Sequence, residues 1–247
     1  SPDGSRVAAA GPQTGLEPQT VRIWDLEVDT ETVLTPVDAP GGTEIFDLQF
    51  TPDGLHVVTA GWLGVRVWNI AADTSTFLGS GGQTAISRDG RFTYAVWPHW
   101  QELVGGAGVY DLTTGEYRAL DSHRSGFSIA LDPTDTVLVT GGDDGVVRVG
   151  PVSGEEPHLL LGHVGRVFAV EVSPDGRWIA SGCEDGTIRL WPVPDVSKPP
   201  FHSLPYEELL ARLRGLTNFR AVKDPESATG YSIEHGPFPG WGTVPEW

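Results

Sequence analysis

The sequence predicts an all-β chain of about five similar units of short antiparallel strands, the first of them incomplete, followed by a small α+β extension. Three observations predict it. A Ser-Pro-Asp-Gly turn recurs, at Ser1 to Gly4, Thr51-Pro52-Asp53-Gly54, Ser87-Arg88-Asp89-Gly90, the degenerate Asp132-Pro133-Thr134-Asp135, and Ser173-Pro174-Asp175-Gly176. Its first positions are spaced 50, 36, 45 and 41 residues apart. A second marker keeps step: Trp24-Asp25, Trp68-Asn69, Tyr110-Asp111, Val149-Gly150 and Trp191-Pro192, spaced 44, 42, 39 and 42. Third, 32 glycines and 20 prolines in 247 residues suit many tight turns, while 39% hydrophobic residues exclude a disordered chain.

Within a unit the elements follow in a fixed order. Alternating apolar residues lead into the turn, as at Val167, Ala169 and Val172. The turn itself is Pro-Asp-Gly chemistry. A β-rich run follows, 55–60 or 178–181, then a turn of small residues. A third run has period two, with Val65 and Val67 or Ile188 and Leu190. A weaker fourth run closes the unit, at 116–120 and 158–161. Period-two runs of about five residues bounded by Gly, Pro and Asp read as strands. Four such strands every 43 residues or so describe one propeller blade.

The fifth unit carries the fullest motif: Gly162-His163, Ser173-Pro174-Asp175-Gly176, and Ser181-Gly182-Cys183-Glu184-Asp185-Gly186-Thr187-Ile188-Arg189-Leu190-Trp191. It resembles the WD-repeat β-propeller family, and the resemblance extends over about residues 1–200. The fourth unit departs from it by lacking the Trp, with Gly150 aligned to Trp191, and the second has Leu63 where the family turn has Asp. The first and third carry insertions between their second and third strands, and the first begins at its second strand. Family propellers typically close with seven blades, so the resemblance implies the C-terminal part of a larger ring. The absence of methionine and the start at Ser1 predict a piece of a longer polypeptide. Its missing strands are expected from upstream chain, another molecule or the tail.

Two domains are expected: propeller blades over 1–200 and an extension over 201–247. A proline-rich linker at 192–200 ends the blades. Ser203 is expected to cap a helix with Pro205 in its first turn and an apolar face of Leu204, Leu209, Leu210, Leu213 and Leu216. That face either docks beneath the last blade or awaits a partner. Two short β runs, 219–222 and 231–233, precede a Gly/Pro/Trp-rich end with Trp241 and Trp247. The tail is similar to those that follow propellers in large bacterial WD-repeat proteins, which implies an upstream kinase or signal-transducing NTPase module.

Composition narrows the partners. A net charge of −17, with two lysines among 16 basic residues, disfavours nucleic acid and anionic membranes. No apolar run approaches transmembrane length. One cysteine, Cys183, cannot make an internal disulfide, which suits a reducing cytoplasm.

Candidate chemistry is sparse. His163, Ser181 and Asp185 include the residue types of a hydrolase triad. The family resemblance implies instead that His163, Ser181, Asp185 and Trp191 form a buried hydrogen-bond network that fixes the blade. Asp53, Asp89 and Asp175 read as turn residues. Asp143-Asp144-Gly145 lacks the further acids of a calcium loop, and the glycines at 79–82 and 105–108 open no helix that would cradle a phosphate. Cys183 has no basic neighbour in sequence to activate it. Trp97, His99 and Trp100 form a candidate interaction loop, because insertions at 11–20 and 97–106 enlarge one face and exposed Trp anchors interfaces; Trp97 and Trp100 folded back on the rim are the alternative. No catalytic residue, cofactor or metal is expected. The expected role is a non-catalytic protein-interaction or sensing scaffold, docking a protein partner or an effector domain of its own chain. The alternatives are the regulatory end of a multidomain kinase or NTPase, and a propeller hydrolase.

Overall fold

A computed structural model describes residues 1–11, 20–35, 44–62, 64–97, 106–123, 126–209, 219–223 and 231–235. The chain divides into two compact units, Ser1–Lys198 and Pro199–Trp247. The first holds five antiparallel sheets in chain order. Sheet one is β1 (Arg6–Gly11), β2 (Thr20–Asp25) and β3 (Thr30–Leu34). Sheet two is β4 (Ile45–Phe50), β5 (His56–Gly61), β6 (Val65–Asn69) and β7 (Thr74–Gly79). Sheet three is β8 (Gln83–Ile86), β9 (Phe92–Trp97), β10 (Gly106–Asp111) and β11 (Tyr117–Leu120). Sheet four is β12 (Gly126–Leu131), β13 (Val137–Gly142), β14 (Val147–Pro151) and β15 (His158–Leu160). Sheet five has β16 (Val167–Val172), β17 (Trp178–Cys183) and β18 (Ile188–Pro192).

Each sheet is a meander of hairpins, so every strand pairs with its neighbours in sequence. The Pro-Asp-Gly turns join its first two strands and close in one way. The first residue of the turn accepts the glycine amide, at 2.8 Å for Gly54 to Thr51, Gly90 to Ser87 and Gly176 to Ser173. The glycine takes a left-handed φ of +67 to +71° there, a region open to glycine at little cost. The turn Asp accepts the hydroxyl of Thr51, Ser87 or Ser173 at 2.6 Å. In the degenerate fourth copy Asp132 replaces that Ser. Its carboxylate accepts the amides of Thr134, Thr136 and Val137 at 2.6–3.0 Å, and Asp135 adopts the positive φ.

The apolar residues sort into four clusters, one between each pair of successive sheets. Val21, Ile23 and Leu34 of the first sheet pack on Val57 and Trp68 of the second. Val58 and Val65 meet Ala95 and Tyr110. Tyr94, Val96 and Val109 meet Ile129 and Leu138. Val139, Val147 and Val149 meet Val167, Val170 and Ile179. Both faces of an inner sheet are therefore buried, as stacked blades require. Polar staples join the sheets too. Asp47 on β4 accepts the Thr84 amide at 2.8 Å and its hydroxyl at 2.7 Å, and the Gln49 amide donates to the Thr84 carbonyl at 2.6 Å.

In the second unit, β19 (Phe219–Lys223) and β20 (Tyr231–His235) pair as a hairpin. The expected cap at Ser203 is corrected. Phe201–Ser203 forms a 3-10 turn, closed by the Ser203 hydroxyl on the Pro200 carbonyl at 2.9 Å. Helix begins after Pro205, whose carbonyl accepts the Leu209 amide at 2.9 Å. Leu210, Leu213 and Leu216 of the expected apolar face, with Trp241 and Trp247, lie outside the described residues. Among the described residues, no helix is long and apolar enough to cross a membrane.

Candidate functional site

The fifth sheet brings His163, Ser181, Asp185 and Trp191 together. Ser181 lies on β17 and Trp191 on β18, where Ile179 pairs with Trp191 and Ser181 with Arg189. That register lets the indole reach back to the serine. Trp191 Nε1 donates to Ser181 Oγ at 2.8 Å, and Ser181 Oγ meets His163 Nε2 at 2.7 Å. On the other side of the ring, His163 Nδ1 meets Thr187 Oγ1 at 3.1 Å, and Thr187 Oγ1 donates to Asp185 Oδ1 at 2.6 Å.

The protons can be ordered by elimination. A carboxylate only accepts, so the Thr187 hydroxyl hydrogen goes to Asp185. Thr187 Oγ1 must then accept from His163 Nδ1, which carries the ring proton. Nε2 is left as acceptor and takes the Ser181 hydroxyl hydrogen. The result is one directed chain: Trp191 to Ser181 to His163 to Thr187 to Asp185. Asp185 Oδ2 also accepts the Val164 amide at 2.9 Å, which ties the turn to the segment leading into β16. The hydrogen bonds from Thr187 and then from Val164 hold the Asp185 carboxyl well below the usual carboxylate range.

This arrangement orders a serine, a histidine and an aspartate as a nucleophile chain does, yet Ser181 is 2% exposed. One lone pair of its oxygen is taken by the Trp191 indole, and the His163 side chain is fully covered. A substrate carbonyl has no approach to that oxygen. The arrangement fixes the blade and leaves no route for acyl transfer.

Thr187 is a member that sequence reasoning did not single out; its signal was the spacing Asp-Gly-Thr after Cys183. Reduced versions of the network occur in other sheets. In the second, Trp68 Nε1 donates to Thr59 Oγ1 at 2.9 Å. The third has Ala95 at the serine position, and its Tyr110 hydroxyl turns to the Ser80 carbonyl at 2.8 Å. The fourth retains His123 and Thr140, with Nδ1 to Oγ1 at 3.0 Å. Gly150 replaces the tryptophan there, Pro157 crowds its space, and His123 Nε2 is buried with no hydrogen-bond partner. Burial holds the fully covered His123 ring neutral, its pKa pushed down to about 4.

His163, Cys183 and Asp185 are the one His/Cys/Asp/Glu group among the described residues with ligand atoms close enough to share a metal, all within 4.8 Å of one another. Each atom already has a protein partner. Cys183 Sγ donates to the Gly165 carbonyl at 3.4 Å, and the other two belong to the chain above.

The candidate interaction loop is only partly described. Trp97 ends β9 and is 7% exposed, with its ring 6.4 Å from that of Tyr117. It packs against the sheet and is no exposed anchor. His99 and Trp100 lie outside the described residues, as does 12–19 of the other insertion. Exposed aromatics stand elsewhere: Phe46 with Trp62 in the second sheet, and Phe168 of the fifth against the half-buried Phe127 of the fourth, each pair edge-to-face at 5.6 Å.

Residues 115–149 and 154–192 match the family described as WD domain, G-beta repeat. The chain is also similar to serine-threonine kinase receptor-associated protein from Rattus norvegicus and Homo sapiens, each 46% identical, and from Bos taurus, 45% identical. Each match runs over 65 residues, 26% of this chain and 19% of the relative. The chain thus spans about a fifth of the length of the curated relatives it matches. Two WD repeats by sequence, set among five antiparallel sheets of three or four strands, make this the fold of WD-repeat propeller blades.

Proposed function

We propose that this chain is a non-catalytic protein-interaction scaffold, the propeller part of a larger cytoplasmic signalling protein. One observation carries the reading. Ser181, His163 and Asp185, the residue types of a nucleophile chain, are consumed by a buried structural chain, while large aromatic side chains stand at the surface. Fixed sheets with exposed aromatics suit docking, in which a few anchors supply most of the energy. The net charge of −17 steers basic partners towards the chain and makes association slower as salt rises. The relatives are named for association with a serine-threonine kinase receptor, which supports a signalling context. WD-repeat sheets from upstream chain of the same polypeptide, or from another molecule, would complete the propeller.

The test is affinity capture from cells with the full-length protein and with a version lacking residues 1–247. The expected result is loss of specific partners on deletion. An unchanged set of partners would sink the proposal.

A further inference from the structure

The outer grooves between successive sheets are filled unequally. Thr76 on β7, Arg118 on β11 and His158 on β15 hold equivalent positions, paired with Val67, Val109 and Val149 on the third strands of their sheets. Leu112, Val152 and Val193 are equivalent too. Each follows a third strand, bonds its amide to the carbonyl of Arg91, Thr136 or Arg177, and packs on the apolar cluster shared with the preceding sheet. Beyond that residue the third and fourth sheets turn back into β11 and β15. The fifth runs on as Val193-Pro194-Asp195-Val196-Ser197-Lys198. Val193 and Val196 both pack on the cluster that holds Val137, Val139 and Val149. The segment ends in a turn, with the Lys198 amide on the Asp195 carbonyl at 3.1 Å and the Ser197 amide on the Asp195 carboxylate at 3.2 Å. His158 Nε2 donates to the Lys198 carbonyl at 3.1 Å. The groove beside β15 thus holds a turn of the chain itself, anchored by an aliphatic side chain and a main-chain carbonyl.

The equivalent groove beside β11 is open. Its volume is about 460 Å³, within the range of ligand pockets, and Phe92, Tyr94, Val109, Tyr117, Arg118 and Val152 wall it. Arg118 stands where His158 stands in the next sheet. Its guanidinium donates to the Ser153 carbonyl at 2.8 Å and to the Val152 carbonyl at 3.2 Å, which engages two of its five N–H groups. The groove therefore offers the same two contacts that hold residues 193–198 beside β15: an apolar wall and a donor for a carbonyl. The groove beside β7 differs. It is smaller, about 350 Å³, and the hydroxyls of Thr74, Thr76, Thr113 and Thr114 replace the aromatic rings.

We propose that the groove beside β11 is a docking site for a short turn-forming segment of a partner protein, which lays one valine-sized side chain on the apolar wall and gives a main-chain carbonyl to Arg118. The inference rests on the interaction reading above and specifies a surface and an occupant for it. The occupant comes from outside, because residues 193–198 are held in their own groove. Burial of the aliphatic side chain drives docking, and the charge-assisted bond to the carbonyl sets its register.

The probe is the peptide Val-Pro-Asp-Val-Ser-Lys, the sequence of residues 193–198, with fluorescein at its N-terminus. A control peptide carries asparagine in place of the second valine. Binding to the 247-residue chain is followed by fluorescence anisotropy. The valine peptide is expected to bind at least about tenfold more tightly than the control, and Arg118→Ala to weaken it about fivefold. Arg118→Gln, which keeps an N–H donor, should recover part of that loss. Thr76→Ala, at the same register position beside β7, is expected to leave binding unchanged. Arg118 is exposed, so circular dichroism melting of its variants should stay close to the parent chain. Equal binding of the two peptides, equal affinity of the parent and Arg118→Ala, a loss in Thr76→Ala as large as in Arg118→Ala, or no binding at millimolar protein would each overturn the proposal. None of these results touches the scaffold reading, which stands or falls on the deletion experiment.

Discussion

Acidification isolates the energetic role of one side chain, His123. Its ring is fully buried, bonds Thr140 through Nδ1, and leaves Nε2 without a partner beside Gly150 and Pro157. Burial lowers its pKa from 6.5 to about 4. The unfolded chain takes up a proton as pH falls below 6.5, and the folded chain resists until about 4. Stability from the neutral ring is thus fully present above pH 6.5 and is lost on descent towards 4. At about 1.4 kcal/mol per pKa unit, the shift is worth about 3 kcal/mol in total, most of it gone by pH 4.5. The turn carboxylates respond lower down. Asp175 is held at about 2 by hydrogen bonds, first from Ser173 and then from Arg177, so its contribution is present above 3.8 and fades towards 2. The two windows separate. Urea unfolding at pH 7.5, 6.5, 5.5 and 4.5 on the parent and on His123→Gln measures the effect. The parent should lose about 2–3 kcal/mol more than the variant across that range. Identical pH slopes for the two proteins would refute the reasoning.

Other outcomes follow from the same geometry. Ser181→Ala strands both the Trp191 indole hydrogen and His163 Nε2, and urea unfolding should show a loss of about 2–4 kcal/mol. Asp47→Ala removes the acceptor for two Thr84 donors across the second and third sheets; a loss of about 1–3 kcal/mol is expected in the same assay. Gly64→Ala would drive a methyl group onto the Gly79 carbonyl at a backbone φ of +84°, and thermal melting should fall markedly, with about 2 kcal/mol or more lost.

The repeat was legible because its punctuation is chemical. Pro-Asp-Gly demands a left-handed glycine, and Gly54, Gly90 and Gly176 all adopt it. Strand positions followed from turn positions, since each meander leaves little freedom in register. The fourth turn read as degenerate because Asp132 performs by side-chain bonding what Ser-Pro-Asp-Gly does elsewhere. What stayed hidden is equally physical. Thr187 joins His163 to Asp185 through a hydroxyl whose partners depend on turn geometry. His123 escaped notice because its tryptophan is absent, and the motif is recognised by that residue. Trp97 belongs by sequence to an insertion that either docks a partner or folds back on the rim, and β9 extends through it and buries it.

The uneven distribution of the polar network has a kinetic consequence. Each sheet packs chiefly on its sequence neighbours, so the array behaves as a chain of coupled units whose stabilities add nearly one by one. Among the described residues, only the fifth sheet has the full relay from Trp191 to Asp185; the second keeps the Trp68–Thr59 bond, and the third shows none of it. Opening should therefore occur in steps instead of all at once. Amide hydrogens of β8 to β10 should exchange through smaller openings than those of β17, and the third sheet becomes the natural crease at which the array parts.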